Sequence, residues 1–239
     1  MAGNLTAAVL LDAWEAAAAV SGQRRGAMLV DRLGLVVNAL DAPLAQRDAA
    51  LLDLYRSVFG DRAEMVMDCT SCGKALEVDL DLAVFAGAGT SEVTCVVSGS
   101  REYELRALTT RDLVAAAAAP DPAATLLART VRRTDGTAVA AADLPAGDLD
   151  LLDVASERLA GPAGVVVSAR CPACGAPVRG GLDVAALGWS RLDRWAGDRL
   201  AEVATLARAY GWTEAEVLAL TPARRAVYLE LAQRELVVS

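Results

Sequence analysis

The chain has 239 residues, of which 54% are hydrophobic but only 4% aromatic, and it carries a formal net charge of −8 with no histidine. That acidic balance argues against nonspecific nucleic-acid binding, which draws its affinity from lysine and arginine neutralising phosphates. No uncharged run reaches a dozen residues, so no membrane-spanning helix or membrane insertion is expected. Without a basic stretch at Met1-Ala2-Gly3-Asn4-Leu5, no signal peptide is expected either, which points to a reducing cytoplasm.

Along the chain, Leu5, Val9, Leu10, Ala13, Trp14 and Ala17 recur at helical spacing, and Ser21-Gly22 marks the stop. Gln23-Arg24-Arg25-Gly26 reads as a polar separator before a more apolar run from Leu33 to Leu40. Leu44, Leu51, Leu52, Tyr55, Val58 and Phe59 predict a second helix, ended by Gly60.

Next comes Cys69-Thr70-Ser71-Cys72-Gly73, preceded by Met65, Val66 and Met67, in a segment from about Ala63 to Phe85. A second copy, Cys171-Pro172-Ala173-Cys174-Gly175, follows Val165, Val166 and Val167 in a segment from about Gly164 to Val184. Sliding the chain by 102 positions also lays Leu80-Asp81-Leu82-Ala83 on Leu182-Asp183-Val184-Ala185, without a gap from Cys69 onward. Each pattern predicts a knuckle at the tip of a hairpin, two thiolates facing one point and a glycine permitting the turn behind them. Two knuckles supply the four sulfurs that a tetrahedral structural zinc requires. The expected ligands are Cys69, Cys72, Cys171 and Cys174, holding one Zn2+. A redox dithiol normally opens a helix after a strand, whereas here the glycine predicts a turn into a strand. Structural disulfides fit poorly with a reducing compartment and an odd total of five cysteines.

Between the knuckles, after a glycine/alanine loop, Glu92–Val97 and Tyr103–Leu108 flank Ser98-Gly99-Ser100-Arg101 and predict a β-hairpin. Cys95 reads as a small buried hydrophobe on its first strand. Thr110 is the expected cap of a helix over Arg111–Ala119, which Pro120 stops and Asp121-Pro122 restarts toward Arg129. Thr134-Asp135-Gly136-Thr137 predicts a turn and Asp148–Leu159 a short helix, ended by Gly161-Pro162. Leu192, Trp195, Leu200, Val203, Leu206, Ala207 and Tyr210 share one helical face, which Gly211 terminates. Thr213-Glu214-Ala215-Glu216 is a capping box, and Thr221-Pro222 opens a last helix carrying Arg224, Arg225, Val227, Tyr228 and Leu231.

The expected fold class is therefore α+β: a split four-cysteine zinc ribbon with an inserted small α/β unit, flanked by helical N- and C-terminal segments. The expected boundaries are 1–62 (helical), 63–108 (first ribbon half and hairpin), 109–163 (mostly helical insert), 164–190 (second ribbon half) and 191–239 (helical). An enzyme is not expected. The chain has no histidine, no glycine-rich phosphate loop and no serine in a nucleophile-elbow context. Four thiolates would also leave a zinc no open coordination position.

Leu206-Ala207-Arg208-Ala209-Tyr210-Gly211-Trp212-Thr213-Glu214-Ala215-Glu216-Val217-Leu218-Ala219-Leu220, followed by Arg224-Arg225 and Tyr228-Leu229, resembles the C-terminal signature of a phage baseplate family. Arg47-Asp48 through Leu51-Leu52 with Phe59-Gly60, and the first knuckle with Leu76-Glu77-Val78, resemble it too. So do Arg106-Ala107-Leu108-Thr109-Thr110-Arg111-Asp112-Leu113 and the second knuckle with Leu182-Asp183 and Trp189. The family is that of T-even-type baseplate hub and assembly proteins, found in contractile phage tails and phage-tail-like contractile injection systems. The resemblance covers residues 44 to 232 and leaves the first 40 without a counterpart.

It implies a non-enzymatic structural or assembly protein, made in the cytoplasm for the tail particle, with a zinc bracing the fold. The implied partners are baseplate hub, spike or wedge proteins, docking on the C-terminal helices. Because aromatics and arginines dominate interface energetics, Trp212, Arg224, Arg225 and Tyr228 are the candidate partner residues, with both arginines expected at the surface; the alternative is that Trp212 and Tyr228 close the protein's own helical core. The alternative is a cytoplasmic zinc-ribbon adaptor in another assembly, such as a transcriptional one. Around the knuckles, however, Glu77, Asp79, Asp81 and Asp183 outnumber Lys74, Arg170 and Arg179, where a nucleic-acid ribbon would be basic.

Overall fold

A computed structural model describes residues 5–20, 22–85 and 92–238. The first four residues, Ser21, Ser239 and the expected glycine/alanine loop (86–91) lie outside the described residues. The chain is α+β. Among the described residues, no helix is long and apolar enough to cross a membrane.

Three helices open the chain: α1 (Ala7–Ala18), α2 (Arg24–Arg32) and α3 (Leu44–Phe59). Thr6 caps α1 by accepting a hydrogen bond from the Val9 N–H. The polar stretch expected to separate helices instead forms the start of α2, because Gly26, Ala27, Leu29 and Val30 are all buried. Gly26 sits where helices cross: a Cβ there would lie 3.0 Å from Ala185 Cβ and 3.1 Å from Leu51 Cδ1. Arg25 stays at the rim, its guanidinium 4.6 Å from the Trp189 ring centre, so its charge does not oppose the helix.

After α3 the chain forms an antiparallel pair, β1 (Arg62–Asp68) and β2 (Ala75–Asp81). The insert follows. It contains β3 (Val93–Ser98), β4 (Arg101–Arg106), α4 (Thr110–Ala117), α5 (Pro122–Thr130), β5 (Val131–Arg133) and α6 (Ala146–Ala160). Its sheet has the order β3-β4-β5. Thr109, one residue before the expected Thr110, caps α4. Its hydroxyl accepts from the Asp112 N–H while the Asp112 carboxylate accepts from the Thr109 N–H. Thr110 is buried and accepts from Arg47 Nη1 at 2.9 Å. The three-residue β5 was not legible in the sequence.

A second antiparallel pair, β6 (Val166–Arg170) and β7 (Pro177–Gly181), leads into the 27-residue α7 (Val184–Tyr210). Asp183 caps α7 through the Ala186 N–H at 2.9 Å. The helix thus starts well before the expected boundary at residue 191. Gly211, at φ 68°, ends it in the left-handed region, and α8 (Glu214–Ala219) and α9 (Pro222–Val238) follow.

The largest core joins parts distant in sequence. Leu10, Ala17, Leu29, Val30, Leu51, Leu52 and Leu192 meet Ala63 and Leu80 from the first hairpin, Leu82 and Leu182 just beyond the two hairpins, and Val184 at the start of α7. The insert has a core of its own around Tyr103, Leu105, Val131 and Leu152. Two buried aspartates organise it. Asp148 of α6 accepts from Ser98, Arg101 and the Tyr103 hydroxyl, the last at 2.7 Å. Asp112 accepts from Arg106, Arg129 and Thr109. Burial alone would raise the Asp112 pKa, but these donors hold its carboxyl well below the usual carboxylate range.

Candidate metal centre

The knuckles are built from the same backbone twice. In the first hairpin Asp68 pairs with Ala75, and in the second Arg170 pairs with Pro177, which is the same register 102 positions on. The Cys69 N–H donates to the Lys74 carbonyl at 2.9 Å, and the Gly73 N–H donates to the Cys69 carbonyl at 2.8 Å. Cys171, Ala176 and Gly175 repeat both bonds at the same lengths. Gly73 and Gly175 have φ of 71° and 73°, a left-handed conformation that a side chain opposes.

These two tips face each other. Cys69 Sγ lies 3.6 Å from Cys174 Sγ, and Cys72 Sγ lies 3.7 Å from Cys171 Sγ. All four sulfurs fall within 4.8 Å of one another. A metal–sulfur bond of about 2.3 Å gives tetrahedral sulfur–sulfur edges of about 3.8 Å, so the cluster fits a single ion. Both of these separations are far longer than a disulfide bond of about 2.05 Å. Each knuckle buries its first cysteine and exposes its second, so one side of the cluster rests on protein and the other meets solvent.

Backbone donors make two thiolates accessible before any ion arrives. The N–H of Cys72, with burial opposing, brings the Cys69 thiol down to about 7. The backbone N–H groups of Ala173 and Cys174 lower Cys171 likewise. For Cys72 the Lys74 N–H favours the thiolate, but the neighbouring sulfurs and burial outweigh it and push the thiol up to about 12. Crowded sulfurs cannot all ionise alone; a cation among them removes that penalty.

Beneath the sulfurs, Met67, Leu76 and Val178 close a small apolar floor. Here the sequence reading missed a fitted contact. Met65 and Met67 lie against Gly180, where a Cβ would come within 3.2 Å of Met67 Cε. Val78 holds the matching place in the first hairpin. The exposed faces also differ in a way the 102-residue offset makes readable. Asp68 and Glu77 of the first hairpin correspond to Arg170 and Arg179 of the second, and all four are exposed.

The candidate partner residues lie elsewhere, and only Arg224 is exposed. Trp212 and Tyr228 are half-buried against Tyr210, with Trp212 4.9 Å from Tyr210 and 4.8 Å from Tyr228 between ring centres. This cluster covers the small core of Leu206, Val217 and Ala232. Arg225, expected at the surface, is buried: its Nε is 2.8 Å from Glu202 Oε2, and Nη1 donates to the Leu220 carbonyl. An acid on α7 captures it. Cys95, expected to be buried, is exposed, because the opposite face of β3, at Val96, is the one turned inward.

No protein family, curated protein or solved structure matches the chain.

Proposed function

We propose that the protein is a non-enzymatic structural or assembly component that holds one zinc ion through Cys69, Cys72, Cys171 and Cys174. The carrying observation is the convergence of four sulfurs within 4.8 Å of one another, with cross-hairpin edges of 3.6 and 3.7 Å, from hairpins far apart in sequence. An all-sulfur donor set favours zinc over magnesium or calcium. Four protein ligands close its coordination sphere, so the ion would serve as a brace that neutralises the thiolates and ties the hairpins together.

The assembly we favour is the baseplate of a contractile phage tail or phage-tail-like injection particle. Support comes from the resemblance over residues 44 to 232 in the order knuckle, insert, knuckle and C-terminal helices. Hub, spike or wedge proteins are then the partners, and the place of work is the cytoplasm or the assembled particle. The acidic face of the first hairpin weighs against the alternative of a transcriptional zinc-ribbon adaptor.

Two measurements test this reading. Elemental analysis of the purified protein should find one zinc per chain; no metal, or two independent ions, defeats the shared site. Mass spectrometry of purified particles and of their assembly intermediates should find the protein. Its absence from both, with co-purification of RNA polymerase instead, defeats the baseplate reading.

A further inference from the structure

The sheet of the insert has two edges, and they differ. At β5 the edge is three residues long, carries Arg132 and Arg133, and is bridged by Ala138. Short length, charge and cover are the usual ways of blunting an edge. At β3 the edge is six residues long and carries none of these. The Ala107 N–H donates to the Glu92 carbonyl at 2.7 Å, so Glu92, Thr94, Val96 and Ser98 turn their backbone groups toward β4. In an antiparallel ladder the groups of Val93, Cys95 and Val97 then point the other way. Among the described residues nothing bonds them.

The side chains at those positions are apolar as well. Val93 is 51% exposed and Val97 61%, with Cys95 between them. Leu151 and Val154 of α6, also exposed, line the same groove beside β3, and its volume is about 470 Å³. Arg158 stands at its rim. The stripe has the same character read from either end, valine, cysteine, valine, and it contains no charge.

We infer that β3 pairs with β3 of a second copy, antiparallel about Cys95, to make a continuous six-stranded sheet. Val93 then faces Val97 of the partner subunit, and Cys95 faces Cys95 of the partner subunit. The two-fold uses one patch on both copies, and the blunted β5 edges close the assembly as a dimer. It also sets the two α6 helices antiparallel beside the new seam, covering Leu151 and Val154. The strand itself carries no charge, so the seam sets no like charges against each other.

Sedimentation equilibrium of the zinc-loaded protein tests the pairing, and the dimer should dominate at high concentration. Val93→Lys with Val97→Lys sets lysine against lysine twice across the seam, and should weaken association about tenfold or more. Val93→Glu with Val97→Lys restores opposite charges in this register alone, and should recover the dimer. Both sites are exposed, and unchanged metal content would verify folding. Amide exchange of the unmodified protein supplies an independent reading: the Val93, Cys95 and Val97 amides should gain protection as concentration rises. A monomer at all concentrations overturns the inference. With those amides protected throughout, residues 86–91 or another segment of the same chain cover the edge; with them open, the edge awaits a different protein. Equal weakening by both double variants overturns the register.

Discussion

The two knuckle hairpins share a backbone and their Cys-x-x-Cys-Gly turns, but not the side chains with which they face each other. Register, turn bonds and glycine conformations repeat at an offset of 102 residues. The packing side chains do not: the first hairpin contributes Met65, Met67 and Val78 where the second has Val167, Ala169 and Gly180, and the charge changes sign from Asp68 and Glu77 to Arg170 and Arg179. The difference separates two kinds of constraint. Presenting two sulfurs from one turn fixes the backbone, whereas fitting one hairpin against the other requires unlike surfaces, large against small. Two identical methionine faces would collide; two identical glycine faces would leave a void.

The largest effect should come from removing what the hairpins share. Cys69→Ser and Cys171→Ser should each lose the proposed metal and lower the melting temperature by a similar amount, since each removes one buried candidate ligand. A strong chelator should act like either variant. If one substitution spares metal content in elemental analysis, the two halves are not equivalent.

Next is a change outside the hairpins, which sharpens the comparison by leaving them intact. Asp112→Ala removes the capping-box carboxylate of α4 and the acceptor for Arg106 and Arg129, and should cost about 2–4 kcal/mol in denaturant unfolding. Metal content should stay at one per chain. Because the folded pKa of Asp112 is depressed, its contribution is complete above about pH 4 and is lost only as pH falls through that depressed value.

Gly180→Val copies the first hairpin's residue into the second and should cost about 1–3 kcal/mol by crowding Met65 and Met67. The paired change Gly180→Val with Met67→Ala should recover much of that loss, and failure to recover would show that size complementarity is not the reason for the glycine. Gly73→Ala and Gly175→Ala impose the same strain on the same turn, so each should cost about 1–2 kcal/mol, and equally. At the small end, Cys95→Ala should leave metal content and stability within about 0.5 kcal/mol of the parent.

Much of this was legible because short-range rules act at the site. Cys-x-x-Cys-Gly specifies a turn and its paired thiols within five residues, and Gly211 and the Thr213–Glu216 box end and start helices locally. What escaped depends on remote partners. Arg24–Gly26 looks polar until α3 and α7 bury Gly26 and Trp189 receives Arg25. Arg225 looks exposed until Glu202, on α7, claims it. The side of β3 that turns inward, and hence the exposure of Cys95, is chosen by α6, which lies some fifty residues away. The shared core of the N-terminal helices with α7 was equally out of reach, since no local signal links Leu10 to Leu192.

The separation of the knuckles also sets a timetable. A ribosome adding about 5–20 residues per second needs roughly 5–20 seconds to make the 98 residues between Cys72 and Cys171. Throughout that interval the nascent chain offers only two of the four clustered sulfurs, so it would hold an ion only weakly. Secure capture would wait until the second knuckle has followed the insert, so metal retention would report that both halves have been made and brought together. A chain truncated within the insert would release its ion and leave Cys69 and Cys72 open to oxidation, marking it chemically as incomplete.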